Sequence, residues 1–215
     1  KYGIYLVEDC AQCHRGLTDT GQYAGTLGVA GSWSFENSKQ LTSGDGGIVT
    51  TNNTILAKKI RKIGGLGFKT LTAASGKIRT DRDLLQNPDW ERFDTIGYNF
   101  RMNQLAAAVA LAQTELQDKY VNLRIKSGQK YRSALADSKL LIPQKSYPGY
   151  QNTYYTFSAK FDHINSGITW SNFRKKYMEF GYAIAVTDKD ISKNNAEDLR
   201  LYDQQKRGNV CKKMG

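Results

Sequence analysis

Ser32-Trp33-Ser34-Phe35-Glu36-Asn37-Ser38-Lys39-Gln40-Leu41-Thr42, followed by Gly44-Asp45-Gly46-Gly47, is the stretch on which the reading of this chain turns. Gly31 to Phe35 has the apolar, short character of a strand, and Lys39 lies a few residues past its end, ahead of a glycine-rich turn. A lysine in such a place has two readings. Alone it is a solvated surface charge. Beside suitable partners it is a primary amine able to form an imine with a carbonyl compound. The surrounding residues decide between them.

Upstream, residues 3–8 read as a short buried strand of the parallel-sheet type, ending at Glu8-Asp9 and placing a carboxylate at a strand end. Residues 15–31 are glycine-rich and turn-forming. Downstream, Gly47-Ile48-Val49-Thr50-Thr51 is a third strand, and Asn52 or Asn53 caps a helix over 54–63. Gly64 to Thr95 is a long polar stretch, of a length that in a compact domain is functional or carries small elements of its own. Gly97-Tyr98-Asn99-Phe100-Arg101-Met102 then leads into a strongly helical pattern from Asn103 to about Leu135, which Gly128 bends or interrupts. Tyr154 to Phe161 alternates like a strand, and Trp170 to Phe180 reads as a helix closed by Gly181. Strand–helix alternation makes the chain α/β, with a second, α+β unit starting near residue 125.

Bulk properties exclude several classes. The chain has 215 residues, 40% of them hydrophobic and 24% charged, and no run of eighteen apolar residues, so no transmembrane helix is indicated. Three cysteines, two of them close together, make no disulfide framework at this length, and the expected setting is reducing and cytoplasmic. The net charge of +11 suggests nucleic acid at first sight. Residues 1–118, however, hold 13 Lys/Arg against 12 Asp/Glu, and the excess falls in residues 119–215 (18 against 8), away from every suggestive motif. Scattered helical charges such as Arg174-Lys175-Lys176 are a solvated face or a field that steers an anionic substrate. No nucleic-acid or membrane partner is expected.

Cys10-Ala11-Gln12-Cys13-His14 matches the C-x-x-C-H string of c-type haem attachment and contains a C-x-x-C redox spacing. It follows a buried-looking strand, and the plainer reading is two small, readily buried thiols that happen to stand at this spacing.

Taken together and in order, Val7-Glu8-Asp9-Cys10-Ala11-Gln12, the Ser32–Thr42 stretch with its glycine turn, and Gly97–Met102 resemble the DegT/DnrJ/EryC1/StrS family of aminotransferases, from about Ile4 to Leu135 and more loosely beyond. The resemblance implies the fold-type-I PLP-transferase architecture (aspartate-aminotransferase-like). Residues 1–124 would form part of its large domain and 125–215 part of the small C-terminal domain. It implies pyridoxal 5'-phosphate as cofactor, with Lys39 forming the Schiff base and then shuttling the proton between substrate carbon and cofactor. Asp9 matches the carboxylate that pairs with the pyridine nitrogen, and Gln12 a residue lying against the ring near its hydroxyl. Ser34 matches a phosphate ligand. Asn99 and Arg101 match residues that reach the phosphate held by the neighbouring subunit, implying a homodimer with shared sites. His14 also has a family counterpart, so the haem-like string reduces to a Cys at a position, 13, where the family tolerates several residues.

The implied activity is transfer of an amino group, from glutamate, to a nucleotide-linked keto sugar, in amino-sugar and cell-surface polysaccharide synthesis. A keto-cyclitol or unactivated keto sugar is the alternative acceptor, and a catalytically silent partner subunit the alternative role. A subgroup with His in place of the lysine performs dehydration, and Lys39 speaks against membership of it. The family's preceding segment, with its phosphate-binding loop and ring-stacking aromatic, is missing from these residues, as are the closing C-terminal elements, so the chain reads as a fragment holding part of the site. Residues 69–92 look longer than in many members and lie where substrate specificity could be set.

Overall fold

The structure is a computed structural model and describes residues 2–76 and 80–179. These fall into two compact units: the described residues of 2–12, 22–37 and 41–114 make one, and those of 13–21, 38–40 and 115–179 the other.

The first unit is built on a three-stranded sheet of β1 (Val7–Asp9), β2 (Ala30–Ser34) and β3 (Gly47–Thr50). β1 runs parallel to β2 with Val7 opposite Ala30 and Asp9 opposite Ser32. β3 returns antiparallel, pairing Gly47 with Ser34 and Thr50 with Gly31. Strand β1 is shorter than the apolar run 3–8 suggests. Its ladder begins where β2 begins, and before Val7 the Leu6 carbonyl is held by the Val29 N–H.

A parallel pair needs a crossover, usually a helix that satisfies its own backbone. Residues 10–29 form no helix, so their amides need other partners. The Glu8 carboxylate supplies them: Oε2 accepts the Gly25 N–H (2.6 Å) and Oε1 those of Leu27 (2.7 Å) and Gly28 (2.6 Å). Burial pushes the Glu8 carboxyl upward, but the Gly28, Gly25 and Leu27 amides together outweigh it and hold the pKa below the ordinary value. The same loop lies hard against β2. A Cβ at Gly31 would stand 2.4 Å from the Gly25 carbonyl oxygen, and one at Gly25 (φ +91°) 2.1 Å from the Trp33 ring.

Helix α1 (Thr54–Gly64) starts at Asn53, whose side chain accepts the Leu56 N–H (3.0 Å). The long stretch after it is organised at both ends. The chain at 63–69 exchanges backbone bonds with 92–100, among them Leu66 N–H to the Tyr98 carbonyl, Tyr98 N–H to Ile63 and Lys69 N–H to Arg92. Lys62 and Asp94 form an ion pair across this zipper, Lys62's hydrogen bond holding the Asp94 carboxyl below its usual range. Gly67 (φ +75°) and Gly97 pass so closely that a Cβ on the first would lie 1.9 Å from the Thr95 carbonyl oxygen. Between these ends the described residues add a short helix, α2 (Arg82–Gln86).

The helix expected over 103–135 is two helices, α3 (Gln104–Glu115) and α4 (Gln117–Ala134). The interruption is at Leu116, not at Gly128. Thr114 Oγ1 donates to the Ala110 carbonyl (2.7 Å), a back-bond of the kind that bends a helix. Gly128 lies inside a continuous α4 for a packing reason: a Cβ there would stand 2.5 Å from the Tyr154 ring.

The second unit continues with an antiparallel pair, β4 (Leu141–Pro143) and β5 (Ala159–Phe161), with Leu141 opposite Phe161. Helices α5 (His163–Ser166) and α6 (Trp170–Glu179) follow, the latter packing Trp170 and Phe173 on Phe161. The strand expected over 154–161 is confined to β5. Tyr154, at the start of the expected run, is left-handed (φ +48°) and so outside an extended strand, and its N–H is taken by Asn152 Oδ1 (2.8 Å). The closing Gly181 of the last helix lies outside the described residues.

Two measurements check this account. Glu8→Gln is expected to destabilise the folded protein by about 1–3 kcal/mol, because a neutral amide facing three N–H donors loses the charge-assisted bonds. The depressed Glu8 value means the unfolded state binds the proton more readily. Its stabilisation is therefore whole at neutral pH, declines as pH falls past about 4.3, and is gone below the native value. Thermal melts across that range should show a shallower acid limb in the variant. Gly128→Ala tests the packing role. Helix propensity alone predicts a gain of about 1 kcal/mol, whereas overpacking against the Tyr154 ring costs about 1–3 kcal/mol, so the melting temperature should fall.

Candidate functional site

In the first unit, parallel pairing sends the ends of β1 and β2 to the same edge of the sheet, so Asp9 and Ser34 emerge there together. This is the edge at which open α/β sheets bind ligands. Asp9 is exposed, and its Oδ1 accepts the Ala11 N–H (2.9 Å), which fixes the direction of the carboxylate. Gln12, three residues on, is exposed as well. Ser34 Oγ accepts the Glu36 N–H (3.2 Å).

β3 starts opposite Ser34, so the glycine turn lies at this edge too. The turn is closed by backbone bonds: Phe35 N–H to the Gly46 carbonyl (2.9 Å) and Ser43 N–H to the Phe35 carbonyl (2.9 Å), with Thr42 Oγ1 donating to that carbonyl at 3.2 Å. Gly46 (φ +137°) takes a conformation that L side chains rarely adopt, and the Met102 methyl would lie 2.5 Å from a Cβ there. Met102 thus carries the Gly97–Met102 segment to the turn. Within that segment Arg101 Nε–H donates to Asn99 Oδ1 (2.9 Å), and Tyr98 stacks on Phe100 at 5.2 Å between ring centres. Asn99 and Arg101 are both exposed, an amide–guanidinium pair on one short segment.

Lys39 belongs to the second unit, where a dense set of bonds fixes its neighbours. Gln40, 4% exposed, uses both ends of its amide: Oε1 accepts the His14 N–H (2.8 Å) and Nε2–H donates to the Thr153 carbonyl (2.7 Å). Ser38 Oγ and the Tyr155 hydroxyl hydrogen-bond at 2.7 Å. The Lys39 amine lies 4.6 Å from the centre of the Tyr155 ring, within cation–π range. Arg124 of α4, 9% exposed, donates through a terminal nitrogen to the Tyr155 carbonyl (2.7 Å). Thr153, Tyr155 and Arg124 are the functional neighbours that sequence reasoning missed. Thr153 lies 113 positions from Gln40, Tyr155 117 from Ser38 and Arg124 31 from Tyr155, and no local spacing announces them.

Cys10 and His14 are buried, at 3% and 5% exposure, with the Cys10 N–H on the Ser32 carbonyl. Neither is set out on a surface for attachment to a porphyrin. Among the described residues no group of three His, Cys, Asp or Glu could hold a metal ion, and no helix is long and apolar enough to cross a membrane.

The chain is 31% identical over 73% of its length to GDP-perosamine synthase of Vibrio cholerae, and 32% identical over 74% to L-glutamine:2-deoxy-scyllo-inosose aminotransferase of Streptomyces kanamyceticus. It spans 38% and 36% of the lengths of these two relatives. Among solved structures it superposes on an E. coli GDP-4-keto-6-deoxy-D-mannose-3-dehydratase with bound hydrated PLP. That match has a TM-score of 0.68 at 20% identity, covering 94% of this chain and 50% of the other. The superposition shows the α/β fold of these enzymes, of which this chain carries a part. The model of the DegT/DnrJ/EryC1/StrS aminotransferase family matches residues 1–201, and the chain belongs to that family.

Proposed function

We propose that the protein carrying this chain is a pyridoxal-phosphate-dependent aminotransferase that moves an amino group from glutamate to a nucleotide-linked keto sugar. The observation that carries the reading is the seat of Lys39: a half-buried primary amine held over an aromatic ring, with both sequence neighbours hydrogen-bonded in place. The donor chemistry fits the cofactor. Asp9 offers an exposed, oriented carboxylate suited to a protonated ring nitrogen. Ser34 offers a hydroxyl at the end of β2, beside the glycine turn. Gln12 offers an amide for the ring hydroxyl, and Asn99 with Arg101 a donor pair for phosphate oxygens.

When bound, pyridoxal phosphate supplies an aldehyde and a conjugated ring that accepts electrons from the substrate carbon. The chain's residues do the rest. Lys39 would provide the primary amine that holds the aldehyde and would carry a proton to and from the reacting carbon. Asp9 would hold a proton on the ring nitrogen, Ser34 would anchor the phosphate, and Asn99 and Arg101 would reach the phosphate held by the neighbouring subunit. A lysine at position 39 favours transamination over dehydration.

The reading extends to a cytoplasmic homodimer in which Asn99 and Arg101 serve the neighbouring subunit's cofactor. The exposed apolar side chains around them, Ile96 (87%), Phe100 (75%) and Leu105 (83%), support burial against another chain. In the same reading residues 1–124 belong to the large domain and 125–215 to the small one, and the product enters amino-sugar synthesis for cell-surface polysaccharide. A keto-cyclitol acceptor is the second reading, favoured by the similarity to an aminotransferase named for 2-deoxy-scyllo-inosose.

In the complete protein, borohydride reduction followed by peptide mass spectrometry should place a single cofactor adduct on Lys39, and its absence there overturns the mechanism. Lys39→Ala should lower turnover by about 10²–10⁴-fold or more. Asp9→Asn should keep the adduct but slow the half-reaction with glutamate. Assays with nucleotide-linked keto sugars and with keto-cyclitols separate the two acceptor readings.

A further inference from the structure

Tyr155 makes three separate bonds in the second unit, and two of them bear on Lys39. Its ring lies under the Lys39 amine at 4.6 Å. Its hydroxyl bonds the preceding side chain, Ser38, at 2.7 Å. Its carbonyl accepts from Arg124 at 2.7 Å. An isolated Lys–Tyr contact at a surface is common and carries little meaning. Here the tyrosine is itself immobilised. The residue before it, Tyr154, is held left-handed, 8% exposed, with its ring against the bare backbone of Gly128. The residue before that, Thr153, is 2% exposed and receives Gln40. The segment 153–155 therefore acts as a template on which Ser38, Lys39 and Gln40 are laid.

We propose that Tyr155 is the positioning residue of Lys39. The ring sets the direction of the amine, and the hydroxyl, through Ser38, sets the backbone from which the lysine springs. Arg124 holds Tyr155 in that role. The proposal rests on Lys39 being the residue that bonds the cofactor. Tyr155 itself touches neither cofactor nor substrate in this account. A reacting amine displaced by about 1 Å is enough to lower a rate severely, so the consequence is kinetic.

The test uses the complete, cofactor-loaded protein and its Tyr155→Leu and Tyr155→Phe variants. Three quantities are measured: borohydride-trapped adduct on Lys39, the rate of the half-reaction with glutamate under single-turnover conditions, and acetylation of Lys39 relative to the other lysines in cofactor-free protein. Tyr155→Leu is expected to slow the half-reaction at saturating glutamate about tenfold or more, with the half-saturating concentration within about twofold. In the cofactor-free protein it should make Lys39 several-fold more reactive to acetic anhydride, since one side of the amine is uncovered. Tyr155→Phe keeps the ring and should hold the rate within about two- to fivefold of the unaltered protein, with Lys39 acetylation close to that of the unaltered protein. If Tyr155→Leu misfolds, Tyr155→Phe together with Ser38→Ala decides, each expected to slow the half-reaction by about two- to fivefold through loss of one hydrogen bond. Unchanged half-reaction rates and Lys39 acetylation in the folded variants overturn the positioning role. An unaltered protein with no adduct on Lys39 overturns the assignment of Lys39 and this proposal with it, and the trapping step distinguishes that outcome from a failure of Tyr155 alone.

Discussion

The capture of three backbone amides by one carboxylate is the constraint on which the first unit depends. Parallel strands joined without a helix leave a crossover with unsatisfied N–H groups, and Glu8 gathers those of Gly25, Leu27 and Gly28 from inside the strand that the crossover leaves. That arrangement lets the loop be drawn in until Gly25 touches Gly31 and Trp33. It fixes β1 against β2 and so determines where Asp9 and Ser34 emerge. The two adjacent carboxylates at the end of β1 divide their work: Glu8 is structural, turned onto the backbone, and Asp9 is exposed and oriented.

In the second unit a neutral group plays the corresponding part. Gln40 is buried and must satisfy a donor and an acceptor at once, which it does with the Thr153 carbonyl and the His14 N–H. Its neighbour Lys39 is thereby tied to a segment more than a hundred residues away in sequence. A buried amide with both ends matched is directional in a way that apolar packing is not, and the direction given to residue 40 constrains residue 39.

Local features of the fold were legible wherever the cause was local. The Asn53 cap, the strands at Ala30–Ser34 and Gly47–Thr50 and the helix from Trp170 follow from residue chemistry within a few positions. The ordered motifs around Asp9, Lys39 and Asn99 were enough to indicate the family, because each is contiguous. What escaped was set by distant partners. Gly128 looked like a helix breaker because the Tyr154 ring that requires it lies 26 residues away in sequence. The run from Tyr154 to Phe161 alternates convincingly, but Tyr154 is left-handed, and only the last three residues are a strand. Leu116 is no breaker residue; the interruption there follows the Thr114 hydroxyl's bond back to Ala110. Tyr155 and Arg124 had no signal at all, since their role exists only once the chain has folded.

The two-ended bonding of Gln40 also has a bearing on chemical ageing. Hydrolysis of its side-chain amide would put a carboxylate oxygen where Nε2–H now meets the Thr153 carbonyl, so that two acceptors would face each other in a buried place. A single deamidation, adding less than one mass unit and leaving Lys39 untouched, would therefore loosen the lysine's mooring from behind. Burial at 4% exposure keeps water from that amide. The packing that orders the segment is thus also what preserves it over the protein's lifetime.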